Sequence, residues 1–181
     1  MTYLWANIDA YLKTQIMTDL GPNSGTYSTL RLAEVTLGDH AEPSHMVTPS
    51  LLIDSHEAFP VFGSHGAGTV KTDSRYPYLM IVFDKVQDQT AAGPPVVDSY
   101  ATLKANMQEH LRRLVEWLAG HWCLPGVAVS SDGEHIANMT IPGVGTSIEL
   151  WGPEASVEPG GTPKSYFWGL AAVPFSVDTE Q

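Results

Sequence analysis

Apolar residues recur every three or four places over residues 3–20, at Leu4, Ile8, Tyr11, Leu12 and Ile16, and draw a single stripe along a helix. Gly21-Pro22 ends it, since glycine serves as a helix stop and proline cannot continue one. The period then changes. Residues 26–37 alternate, with Leu30 and Leu32 on one face and Thr29, Arg31 and Ala33 on the other, which predicts a half-buried strand.

Between residues 38 and 76 the periodicity fades under Pro43, Pro49, Pro60, Gly63, Gly66 and Gly68, apart from a short strand expected at 50–53. A segment this long without regular structure reads as a functional loop or an arm that orders against a partner. Phe59, Val61 and Phe62 lie in it and suit either a satellite core or a subunit interface.

Residues 78–86, β-branched and aromatic, predict the clearest strand. Ser99–Gly120 predicts the strongest helix, its stripe formed by Leu103, Met107, Leu111, Leu114 and Leu118. Asp98 or Ser99 can cap its start and Gly120 its end. Strands are expected at 136–141 and 146–151, joined as a hairpin through Pro142-Gly143-Val144-Gly145, and at 166–177. Pro174 argues for an edge position or a bend in the last of these, because proline donates nothing to a ladder. Residues 152–163 read as a solvated loop.

These elements make one α+β domain over residues 1–181, a mostly antiparallel sheet of about five or six strands flanked by two main helices. The length suffices to bury roughly 70% of the surface that the unfolded chain exposes, with no need of a disulfide or metal. Cys123 is the only cysteine, which excludes an internal disulfide framework and suits a reducing compartment; between Trp122 and Leu124 it reads as a buried small hydrophobe. No basic leader precedes an apolar stretch at the start, and no apolar run approaches the length of a membrane span, so a soluble protein made in the cytoplasm is expected.

Charge narrows the partners. There are 20 acidic against 9 basic residues, a net charge of -11. After Glu116 the only basic residue is Lys164. Such a surface repels phosphate backbones and disfavours tight nucleic-acid binding. It keeps the protein soluble, or it forms an acidic wall past which DNA slides without sticking.

Candidate chemistry is sparse. His40, His45, His56 and His65 lie near Asp39, Glu42, Asp54 and Glu57, but their spacings place no two imidazoles on one helix turn, as zinc sites usually do. Gly63-Ser64-His65-Gly66-Ala67-Gly68-Thr69 lacks the following lysine and helix of a phosphate cradle and reads as a flexible turn. Nothing matches the strained serine turn of a hydrolase. His110 sits beside the stripe of its helix, as a boundary or partner-facing residue. Trp5, Trp117, Trp122, Trp151 and Trp168 are scattered among elements and form no stacking platform.

The order of elements, opened by the 3–20 helix and closed by a strand beginning Tyr166-Phe167-Trp168, resembles that of the tail terminator (tail completion) proteins of long-tailed bacteriophages. The resemblance implies a structural virion protein without catalysis or cofactor, assembled in the host cytoplasm. Such proteins form a hexameric ring that stops tail-tube growth and joins the tail tube protein to the head-completion proteins, while DNA passes through unbound. No site residue carries over from the family, but if such a ring forms, Phe59, Val61 and Phe62 are the candidates for a subunit interface and Glu154 and Glu158 for an acidic channel loop. Another head–tail connector or neck subunit would leave the same traces. From a different class, a small metal-dependent enzyme using histidines of residues 38–65 is the alternative, and an acidic adaptor for a basic partner is a third reading.

Overall fold

The computed structural model describes residues 4–38, 47–55, 74–89, 98–121, 127–128, 135–141, 145–156 and 164–180. The chain runs as helix α1 (Leu4–Leu20), strands β1 (Glu34–Leu37), β2 (Ser50–Ser55) and β3 (Ser74–Gln87), helix α2 (Ser99–Gly120), and strands β4 (Val127–Ala128), β5 (His135–Thr140), β6 (Ser147–Ser156) and β7 (Lys164–Glu180). The fold is α+β, as expected, with a mostly antiparallel sheet: among the described residues only β1 and β2 pair in parallel. The sheet order is β1-β2-β3-β7-β5-β4, with β6 also paired to β7.

Both helices pack on one face of this sheet. Alternation sends Tyr78, Met80 and Val82 of β3 to that face, where they register with Phe175, Val173 and Ala171 of β7. Ile8, Leu12 and Ile16 of α1 and Leu103, Met107, Leu114 and Leu118 of α2 meet them in one cluster of buried side chains. Fully burying each such side chain stabilises the fold by about 1.5–3 kcal/mol. Gly169 lets α2 approach β7 closely: a Cβ there would stand 2.6 Å from Cγ of Met107. Asp98 caps α2, its carboxylate accepting from the N–H of Ala101 at 3.1 Å. On the second face Leu52 and Phe83 are buried, with Ile81 and Leu170 against them, and Lys85 lies over the rings of Tyr166 and Trp168.

Four expectations are corrected. Residues 26–33 are bend and irregular chain, not strand, and only Glu34–Leu37 pairs. The Arg31 guanidinium donates to the carbonyls of Pro22 and Tyr27, and Leu30 adopts φ +50°, so the backbone curls before the sheet begins. Next, β5 and β6 do not form a hairpin. Both run antiparallel to β7 and follow one another along the same edge of it, β5 against residues 176–180 and β6 against residues 164–172.

The third correction concerns Pro174. It lies in a central strand, flanked by β3 on one side and by β5 and β6 on the other. Residues 173–175 have no partner on the β5/β6 side among the described residues, and the missing N–H falls in that gap. β6 also runs on to Ser156, through what reads as loop, by a bulge at Gly152-Pro153 where Gly152 takes φ +107°.

Candidate interaction surface

The polar groups inside the fold tie its elements together. Asp84 of β3 is buried; its Oδ1 accepts from the N–H of Lys85 at 2.8 Å, and its Oδ2 faces Asn106 Nδ2 and His110 Nε2, each at 3.4 Å. His110 is therefore interior, not at a boundary or facing a partner. Its spacing shows why: Leu103, Met107, His110, Leu114 and Trp117 follow one another at steps of four and three, so His110 lies on the buried stripe itself. A His–Asp pair could shuttle protons, but the cavity beside His110 and Val82 holds only about 10 Å³, room for roughly one water. No substrate fits there.

Asp19, near the end of α1, accepts from Trp117 Nε1 at 2.8 Å and Gln15 Nε2 at 3.0 Å and lies 3.4 Å from His121 Nε2. It thereby fastens the C-terminal ends of both helices to each other. At the other end of α1 the Tyr78 hydroxyl donates to Asp9 Oδ1 at 2.9 Å. Burial raises the Asp9 carboxyl above its ordinary value despite that bond, and burial together with the Asp9 charge pushes Tyr78 far above the usual phenol range.

Arg113 of α2 reaches the turn after α1. Its Nη1 donates to the carbonyls of Thr29 at 2.6 Å and Leu30 at 3.2 Å, its Nε to Glu109 at 2.8 Å, and its guanidinium lies 4.2 Å from the centre of the Tyr27 ring. The carbonyls of a curled, non-repetitive segment thus find their partner in one planar fork.

The exposed surface divides by charge. On α2, Arg112 bridges Glu109 and Glu116. Hydrogen bonds from Arg112 and then Arg113 hold the Glu109 carboxyl down at about 2. An open groove of about 500 Å³ runs between Lys13, Met17 and Asn23, with one charge and no titratable pair to do chemistry.

β6 is different in kind. It pairs with β7 on one side and with no strand on the other among the described residues. Ser147, Glu149 and Glu154 are exposed, and Ile148, Leu150 and Trp151 are half-buried. Ile148 and Leu150 share the helix-side face with Ala171 and Gly169, whereas Glu149 and Trp151 share the opposite face with Leu170 and Trp168. An open strand edge with apolar side chains only half covered on both faces is a place where another backbone can add.

Of the residues singled out in the sequence, Glu154 is described: it lies in β6 opposite Tyr166, not in a loop. Phe59, Val61, Phe62, Glu158, Cys123, Trp122, the glycine-rich 63–69 turn and the histidines at 40, 45, 56 and 65 lie outside the described residues. Among the described residues no three His, Cys, Asp or Glu side chains are grouped to hold a metal ion, and no helix is long and apolar enough to cross a membrane. The open β6 edge was missed in the sequence, where residues 146–151 read as half of a hairpin; its half-polar alternation was the available signal. No protein-family model matches the chain, and a search of the curated proteins gives no match.

Proposed function

We propose that this chain is a structural subunit of the head–tail junction of a long-tailed phage, a tail terminator that forms a ring on the end of the tail tube and joins it to the head-completion proteins. The observation that carries the reading is the arrangement of elements. An opening helix, a long second helix set between β3 and the later strands, and a mostly antiparallel sheet flanked by these helices support it, although the hairpin in the expected order is replaced by two strands on one edge of β7. In this reading Phe59, Val61 and Phe62 contact a neighbouring subunit, and the acidic residues Glu154 and Glu158 lie along the DNA path, where like charge keeps the duplex from adhering. Exposure of Glu154 supports that role.

Light scattering behind a sizing column tests the proposal, first on the protein alone at micromolar concentration and then with purified tail tubes. A hexamer, or a monomer that becomes one on the tube end, is expected. A stable monomer indifferent to tubes overturns it.

A further inference from the structure

Among the described residues the outer edge of β6 is unpaired over a defined length. Its regular register covers Ser147–Trp151, opposite residues 172–168 of β7. Gly145, in a left-handed conformation against Pro174, lies before that stretch, and the Gly152-Pro153 bulge breaks the register after it. Within those five positions the unpaired groups of the backbone stand beside Ile148 and Leu150 on one face and Glu149 and Trp151 on the other.

Charge decides what can pair there. Glu149 and Glu154 are exposed and make no ion pair among the described residues. Two copies joined antiparallel through β6 would bring Glu149 towards Glu149 of the second copy, and like charges facing across strands destabilise the pair. The chain's net charge of -11 adds to that repulsion. A basic strand has the opposite balance: the cation neutralises Glu149, and the edge loses its main protection against pairing.

We propose that the β6 edge docks an extended segment of a partner protein with the local pattern apolar–basic–apolar. Pairing fixes the pattern, because residues opposite each other share a face. A lysine or arginine opposite Glu149 lies on the Glu149 face, and its two neighbours then fall on the other face, beside the half-exposed Ile148 and Leu150. This site does not depend on ring formation, and failure of the ring leaves it intact.

The test is a titration of the intact protein followed by amide NMR, with a capped seven-residue peptide centred on Val-Lys-Val and a second centred on Val-Glu-Val. The lysine peptide is expected to bind with a Kd on the order of 1 mM or below, about tenfold more tightly than the glutamate peptide, and to protect amides of Ser147–Trp151 from exchange. Glu149→Lys, a change at an exposed position that leaves the fold intact, reverses the preference. Absence of binding by either peptide at about 5 mM, equal binding of both, shifts confined to other elements, or an unchanged preference in Glu149→Lys would each overturn the proposal.

Discussion

Gly145 lies against the ring of Pro174: a Cβ at residue 145 would stand 2.9 Å from Cγ of that proline, and the glycine holds φ +111°. The pair sits where β5 has ended and β6 has not begun, beside the part of β7 that has no strand partner on that side among the described residues. Two separate costs meet any side chain here, the backbone conformation and the contact. Gly145→Ala is expected to destabilise the protein by about 1–3 kcal/mol in urea denaturation. Pro174→Ala in the same chain relieves the contact and leaves the backbone cost, so the double variant should recover only part of the loss.

Gly169 and Gly120 offer a matched comparison. A methyl group at residue 169 would press on Met107, which is fully buried between α2 and the sheet, whereas one at residue 120 meets open space. Gly169→Ala should cost about 1–3 kcal/mol through overpacking. Gly120→Ala, at the end of α2, should be neutral or raise stability by up to about 1 kcal/mol. Thermal melts should show a loss in Gly169→Ala and no loss in Gly120→Ala.

Arg113 serves a segment that has no ladder of its own. Arg113→Met keeps the length of the side chain but leaves the carbonyls of Thr29 and Leu30 without their donor, at a cost of about 1.5–3 kcal/mol. Arg113→Lys should restore little, because one ammonium cannot span Glu109 and both carbonyls over the Tyr27 ring. Hydrogen exchange read at residues 24–33 should accelerate in both variants while β3 and β7 remain protected.

Asp9 links stability to pH in the less common direction. Its folded carboxyl is held above the ordinary value by burial, so its contribution is fully present below the unfolded value and is lost as pH rises through the folded one. At neutral pH the wild type carries a desolvated charge. Asp9→Asn retains an oxygen to accept from the Tyr78 hydroxyl without that charge. The stability of the variant relative to wild type should therefore be more favourable at pH 7 than at pH 3, as read by denaturation at both values. A constant difference across that range would remove Asp9 from the account.

Much of the framework could be read from periodicity. The α2 span is as expected because its apolar stripe and its Asp98 cap agree, although the cap at its far end is His121 and not Gly120, and β3 and β7 stand out because β-branched and aromatic residues recur in them. What failed were inferences that depend on pairing. A short Pro-Gly-containing link between two strands ordinarily means a hairpin, but here the long β7 offers enough edge for β5 and β6 to bind one after the other. Pro174 indicated an edge by the same local logic, and only the gap between two partners shows how a central strand tolerates it. Residues 26–33 alternate like a strand, yet Arg31 and Arg113 compete for their carbonyls. His110 was hidden by reading the helix stripe through Leu111, one position away. The β6 edge, the centre of the candidate surface, was invisible because an open edge is a property of neighbours and not of residues.

The central place of β7 governs the order in which this protein can reach its native state. β3, β5 and β6 all take β7 as their neighbour, and Ser74 meets Thr179 across about 100 residues of chain. Among the described residues, until β7 is in place β3 has only β2 beside it, and β5 and β6 have no ladder apart from the two-residue contact of β5 with β4. The helices can form early from local contacts, but the sheet cannot close gradually. Folding should therefore be limited by the arrival of this one strand, and a variant that weakens it should slow folding more than one that weakens β1 by the same free energy.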